Sequence, residues 1–344
     1  MKESKNMSGV LFFFIHFIIE ITSFYTVSFY TNSALAWFLA FLYDYLAFVP
    51  QGFFGYLKDK GIRLNFAVIG IILSTLALAL LALEFNAVIV ILILSIGNGM
   101  IHIQGAETTL RTAQGKMTPC AVFVSGGAFG VITGKILAMY KVPVILIAAV
   151  NLLMTVPVFL CRRYSFSTDD QALENYNFSN KKRGTKTIVG LAVAVVIIRA
   201  YMGYGIPTAW NKTTVQTVLL YCFMGLGKAL GGILIDRIGI RKTSLLSTVG
   251  ALPFLLFGDQ VMFVSLFGIM LFSMTMAVTL GLIVSELKRY PGVAFGFTTT
   301  GLFLGSLPVF FFRIDSLWIN SVIVTALTAA SALALTIICK KEKA

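Results

Sequence analysis

Polar interruptions cut this 344-residue chain into apolar blocks, and that punctuation constrains its fold more than any other feature. A stretch of about 17–25 apolar residues crosses a bilayer as a helix. Blocks of about that size fall near 9–31, 34–57, 64–83, 86–110, 119–140, 143–161, 187–208, 213–236, 243–258, 260–285, 291–312 and 316–339. The chain is 58% hydrophobic and only 12% charged, whereas soluble domains are about a quarter charged. A soluble core of this size could not hide so much apolar surface. Lipid forces each spanning segment to satisfy its own backbone hydrogen bonds, so the blocks are expected to be helices. The short alternating strands of a barrel are absent from the pattern.

The connectors test the count. With the N-terminus in the cytosol, 21 of the 27 Lys and Arg residues fall in cytosolic connectors or termini. Lys141, Lys212 and Arg313 fall outside, and Lys135, Arg199 and Lys228 lie within blocks. This asymmetry follows the positive-inside rule and places both termini in the cytosol. The formal charge of +13 is spread over many short loops, which excludes a nucleic-acid patch. Cys120, Cys161, Cys222 and Cys339 lie in or beside apolar blocks without metal-ligand spacing, so neither a disulfide framework, a metal site nor a cofactor is expected. The N-terminal apolar run contains Glu20 and lacks a small-residue cleavage site, so it reads as a first membrane helix rather than a signal peptide.

One connector is long. Residues 162–186, RRYSFSTDDQALENYNFSNKKRGTK, separate six blocks from six, giving an N-terminal unit of 1–161 and a C-terminal unit of 187–344. Its composition reads as a flexible cytosolic tether.

The sequence also repeats itself. GFFGYLKDKGIR (Gly52 to Arg63) closes the second block, and GGILIDRIGIRK (Gly231 to Lys242) closes the eighth. Gly55 and Gly232 each precede an aspartate by four residues, Asp59 and Asp236, which are 177 positions apart. Arg63 follows the first; Arg237 and Arg241 follow the second. The fifth block of each half opens on a proline, Pro119 or Pro291, and then carries glycines one turn apart: Gly126, Gly130 and Gly134, or Gly301 and Gly305. Proline at a first helical turn costs no hydrogen bond. Small residues at every fourth position let helix backbones approach closely.

Across nearly its whole length the chain resembles the major facilitator superfamily. That family carries the turn G-x-L-x-D-[RK]-x-G-[RK]-[RK] between spans two and three. Gly55-Tyr-Leu57-Lys-Asp59-Lys60-Gly61-Ile-Arg63 is similar to it, and the segment from Gly232 to Lys242 matches more fully. The segments FVPQGFFGYLKDKGIR and GNGMIHIQGA look like the small-drug and fosmidomycin-resistance-type exporter branches. Two departures stand out. The fourth-span arginine of proton-coupled members has no clear counterpart in LSIGNGMIHIQGAETTLR, and Val131 replaces the proline that exporters place after the second glycine of span five. The resemblance implies an all-α integral membrane fold of twelve helices in two pseudo-symmetric six-helix bundles. It also implies alternating access around a midplane site. Asp59 would face the start of span eleven near Pro291, and Asp236 the start of span five near Thr118 and Pro119. Lys60, Arg63, Arg237 and Arg241 would add pairs between bundles.

Ionisable side chains in mid-membrane are costly and are functional candidates by default. Glu20, Asp44, Arg199 and Lys228 are four such residues. Glu20 or Asp44 could carry a proton while Arg199 and Lys228 hold an anionic part of a solute; alternatively, Glu20–Arg199 and Asp44–Lys228 are structural ion pairs. His16 lies one turn before Glu20, Asn98 and His102 share a face, and Lys135 follows Gly134; these complete the binding candidates. Glu107 and Arg111, four apart, read as a local pair or gate element. The expected activity is therefore secondary active transport of a small organic solute. It is expected to be proton-coupled, with export preferred to uptake or uniport, by a monomer in the cell membrane, most simply a bacterial inner membrane. A lipid-modifying enzyme would need clustered His, Asp or Ser at one membrane face, and a non-transporting sensor would show no flux. A fluorescent reporter that matures only in the cytosol should light up when fused after Ala344. It should stay dark when the chain is truncated and fused after Lys141; the reverse result would refute the topology.

Overall fold

In the computed structural model, which describes residues 4–160, 170–205, 213–258, 261–312, 314 and 316–340, every regular element is helical. Cys161, Lys212 and Arg313 lie outside the described residues. In chain order the first half holds α1 (Ser4–Phe29), α2 (Ala36–Phe48), α3 (Gln51–Asp59), α4 (Phe66–Ala82), α5 (Ala87–Thr112), α6 (Thr118–Met139), α7 (Val144–Leu153) and α8 (Thr155–Leu160). The short α9 (Asp170–Glu174) precedes the second half: α10 (Thr185–Gly205), α11 (Thr214–Ile238), α12 (Ile240–Ser247), α13 (Leu252–Phe257), α14 (Met262–Ser273), α15 (Thr275–Glu286), α16 (Pro291–Ser306) and α17 (Leu317–Ile338). Nine helical stretches among the described residues are long and apolar enough to cross a membrane, with shorter apolar ones at Phe66–Ala82 and Val144–Phe159.

Local chemistry sets the ends and breaks. Asn65, Asn86, Thr213 and Ser316 accept hydrogen bonds from the first free amides of α4, α5, α11 and α17, and Thr213 forms a full capping box with Gln216. Pro119 and Pro291 sit in the first turns of α6 and α16. Pro50, which has no amide hydrogen, separates α2 from α3. Pro157 removes the donor that the Leu153 carbonyl would need at the α7–α8 break. Gly61, after α3, and Gly239, between α11 and α12, both adopt φ of 88°. A side chain is strained in that region, which explains why both charged turns hold glycine there.

Packing is close where side chains are absent. α6 lays its glycines on α1: Gly126, Gly130 and Gly134 face the Phe13, Phe17 and Ile21 carbonyls. α16 does the same on α10 through Gly301 and Gly305. Two close contacts between the halves of the chain run along helix pairs α3–α16 and α6–α11. In the first, Gly55 meets Gly292 and Gly52 meets Gly296, backbone on backbone. In the second, Gly232 meets Ala121 and the Met117 carbonyl. The charged turns, the start of α1 (Ser8 Oγ to Thr112 Oγ1, 2.7 Å) and the end of α17 all lie at one end of the molecule, called the charged end below.

The connector differs from the expected tether. From residue 170 onward it packs across the charged end. Tyr176 is fully buried, and its hydroxyl donates to the Leu110 and Lys116 carbonyls at 3.0 and 3.2 Å. Burial pushes this phenol well above its usual pKa, so it remains a neutral donor. The Phe178 amide donates to Ser285 Oγ at 3.0 Å, and the Ser179 hydroxyl donates to Glu286 at 2.5 Å. Asn180 reaches the Ile337 and Ile338 carbonyls. The segment is thus a strap that bonds helices of both halves. Composition alone cannot show this, because it is polar for the sake of partners rather than water.

Gly292→Ala places a methyl 2.7 Å from the Gly55 backbone and should destabilise the fold by about 1–3 kcal/mol, as overpacking does. Gly190→Ala, in open space, should not. Thermal unfolding of the two variants followed by intrinsic fluorescence checks this; equal midpoints would refute the close contact.

Candidate functional site

Two carboxylates at the charged end bind helix N-termini across the halves. Asp59, the last residue of α3, accepts from the Gly292 amide at 3.1 Å and the Val293 amide at 2.9 Å. Asp236, near the end of α11, accepts from the Met117 amide at 2.8 Å, the Thr118 amide at 2.9 Å and the Thr118 hydroxyl at 2.5 Å. The first amides of a helix have no partner within the helix, and the helix dipole favours an anion there. The positions of Gly55 and Gly232 let the backbones close to that range.

The arginines behave differently from expectation. Arg63 and Arg237 are exposed, and neither they nor Arg241 or Lys60 forms an ion pair among the described residues. Lys60 instead lies over the Tyr56 ring, 5.5 Å from its centroid. The guanidinium that approaches Asp59 is Arg111, at 4.0 Å. Arg111 Nε donates to Glu107 at 3.1 Å, and Lys58 lies 3.5 Å from the same carboxylate. Lys58, Glu107 and Arg111 are each less than a tenth exposed. Two cations and two anions therefore balance in a buried quartet, where any one left unpaired would be strongly destabilising. Sequence reasoning caught the Glu107–Arg111 spacing but not Lys58, because its partner lies on another helix.

The second cluster lies deeper. Glu20 on α1 accepts from Asn98 Nδ2 on α5 at 2.8 Å. The same amide donates to Ser23 Oγ at 3.0 Å and Tyr43 Oη at 3.1 Å. Two imidazoles flank the carboxylate: His102 Nε2 at 3.6 Å and His16 Nε2 at 3.9 Å from Oε1. Ser23 and Tyr43 were not singled out in the sequence; the signal available was only that Ser23 lies one turn after Glu20, and Tyr43, directly before Asp44, carried none. The ion pairs Glu20–Arg199 and Asp44–Lys228 do not form. Arg199 on α10 reaches Met276 Sδ at 3.8 Å. Lys228 on α11 lies within electrostatic reach of Glu20, His16, His102 and Arg199, and lines a small internal void with Met117, Ala121, Val124, Met276, Ala277 and Leu280. Half-buried Asp44 has Lys135 and Glu20 as its charged neighbours. Lys135 is exposed, 3.2 Å from Tyr221 Oη and over the rings of Phe24 and Tyr221. The fold thus gathers Glu20, His16, Asn98 and His102 into one cluster, with Lys228 beside it, and leaves Asp44, Lys135 and Arg199 around it.

Opposite the charged end, further contacts join the halves: Trp37 Nε1 donates to the Phe310 carbonyl at 3.0 Å, and Phe41 and Tyr45 pack on Phe303.

No protein-family model matches the sequence, and no curated protein matches it. Solved structures do match. The E. coli fucose:proton symporter FucP, also described as a Major Facilitator Superfamily transporter, superposes with a TM-score of 0.63 at 12% identity, over 95% of this chain and 97% of that one. The human organic anion transporter MFSD10 gives 0.60 at 15% identity over 96% and 99%. A bacterial homologue of the iron transporter ferroportin, in an outward-facing state, gives 0.54 at 13% over 96% and 98%. The chain has the fold of these transporters.

Asp236→Ala leaves two helix-terminal amides and a hydroxyl without their acceptor, at about 1–3 kcal/mol. That corresponds to roughly 5–150-fold in an opening equilibrium. Cys120 is buried two residues beyond Thr118, so its alkylation, followed by mass spectrometry, should accelerate within that range. An unchanged rate would show that Asp236 does not hold the contact shut.

Proposed function

We propose that this protein is a secondary active transporter that moves a small organic solute across the membrane by alternating access. The observation that carries this reading is the duplicated contact in which Asp59 and Asp236 each seat on a helix N-terminus of the opposite half. Twelve spans follow if α2 joins α3, α7 joins α8, α12 joins α13 and α14 joins α15. They divide into bundles of 1–161 and 187–344, joined by 162–186. Both termini and both charged turns then lie in the cytosol. With the two carboxylates engaged, the cytosolic side is closed. Each contact contributes about 0.3–2 kcal/mol, enough to bias two states a few kcal/mol apart.

The buried carboxylate of Glu20 and the half-buried Asp44 support proton coupling, since burial makes exchange of a proton the least costly way to change charge inside the membrane. Lys228 and Arg199 supply positive charge for an anionic portion of a solute. The transporters sharing the fold are named for fucose with protons, organic anions and iron, so the fold leaves the cargo to the site. Export is preferred because the first charged turn, in FVPQGFFGYLKDKGIR, and the segment GNGMIHIQGA resemble exporter branches; uptake and uniport are the alternatives.

Purified protein in liposomes containing a pH-sensitive dye tests the reading. A transported compound should dissipate a proton gradient. Glu20→Gln or Asp44→Asn should uncouple the two fluxes, and Asp59→Ala should slow turnover several-fold without loss of folded protein. Solute flux that ignores the proton gradient would refute coupling. Unchanged kinetics in Asp59→Ala would reduce the turn to a topology signal.

A further inference from the structure

His16, Glu20 and His102 present three ligand atoms to one another, and we infer that this trio is a binding site for a late first-row divalent cation such as Zn²⁺ or Co²⁺. The argument begins with the ring nitrogens that face away. His16 Nδ1 lies 2.9 Å from the Phe123 carbonyl, and His102 Nδ1 lies 2.9 Å from the Asn98 carbonyl. A carbonyl only accepts, so both hydrogens sit on Nδ1. That leaves both Nε2 atoms as the free corner of the ring, and both point at the same carboxylate oxygen. Imidazoles that bind metals are oriented in this way, with the other ring N–H held by a backbone carbonyl.

The separations fit. The three ligand atoms lie within 4.8 Å of one another. At 3.6 and 3.9 Å, the two N···O distances are too long for hydrogen bonds. Ligands at about 2.0–2.2 Å from a tetrahedral ion stand roughly 3.3–3.6 Å apart, so small side-chain rotations complete the site. Each residue is about 5–6% exposed, and a lone pair facing a carboxylate in such a place is repulsive until a cation joins them. Two imidazoles and one carboxylate suit zinc, cobalt, nickel or ferrous iron; magnesium and calcium prefer all-oxygen shells. Three protein ligands leave a coordination position open, as in sites that exchange what they bind.

The surroundings hold the trio in place. Asn98 donates to the Glu20 oxygen that both rings face. Gly127 makes room for His16: a methyl there would lie 2.5 Å from Nε2. The rings of His16 and His102 are 4.4 Å apart, edge to face. Lys228, the nearby cation, opposes the incoming charge and should keep the affinity moderate. The sequence shows no metal-ligand spacing because α1 supplies two ligands and α5, some eighty residues on, the third. This site goes beyond the transport reading and does not depend on it.

Equilibrium dialysis of the full-length protein in detergent against Zn²⁺ or Co²⁺, with elemental analysis, tests the site. One ion per chain is expected, undisturbed by a large excess of Mg²⁺ or Ca²⁺. His16→Gln and His102→Gln should each weaken binding at least tenfold, Gly127→Ala should weaken it without removing a ligand, and Lys228→Gln should tighten it. Should the histidine variants fail to fold, the wild-type Co²⁺ absorption spectrum decides: a four-coordinate imidazole spectrum supports the site, and a six-coordinate aqua-like one overturns it. No saturable uptake, or uptake unaltered in folded histidine variants, also overturns it. Binding without any solute flux would leave the site standing and count against transport; proton-coupled flux without metal binding would do the reverse.

Discussion

A carboxylate seated on the open end of a helix is the interaction on which the arrangement of this protein depends. Two half-chains of apolar helices have little reason to prefer one mutual placement in lipid, because the bilayer is as apolar as their surfaces. Asp59 and Asp236 supply the reason. Each carboxylate finds backbone donors that nothing else in its helix can satisfy, at 2.8–3.1 Å. Glycine makes this possible: Gly55 against Gly292 and Gly232 against Ala121 bring the helices close enough for a short side chain to reach.

The polar interior follows a consistent rule. Most buried polar groups are paired within small, closed sets. Asn151 on α7 donates to the Ile71 carbonyl, Ser74 and Thr75 on α4. Lys58, Asp59, Glu107 and Arg111 compensate one another. The cluster around Glu20 departs from it, as do a few scattered atoms such as Gln51 Oε1 and Asn320 Oδ1: Asn98 serves the carboxylate and two hydroxyls, while its own Oδ1 has no hydrogen-bond partner among the described residues. A half-satisfied buried network is costly, and proteins retain such cost where something binds.

How much of this could be read from the sequence depends on the range of the forces involved. The apolar blocks, the proline-led helices and the paired turns are local patterns, and the helices and their charged end follow from them. Asp59 could be assigned a helix terminus because the family that the duplicated turn resembles implies one. Its arginine could not: Arg63, four residues on in sequence, faces solvent, and Arg111 arrives from α5. The trio of His16, Glu20 and His102 is invisible for the same reason, since only packing brings α1 and α5 together. The strap failed as a tether because Tyr176 is polar toward carbonyls rather than toward water.

The donors to Asp59 and Asp236 are main-chain amides, apart from one hydroxyl, and this has an evolutionary consequence. Almost any residue could stand at positions 117, 118 or 293 and still offer the same N–H. Sequence drift there cannot easily break the contact, and selection has only the two acids and a few glycines to preserve. A contact of this kind places little demand on sequence, in a chain whose likeness to the fucose:proton symporter is one of fold at 12% identity.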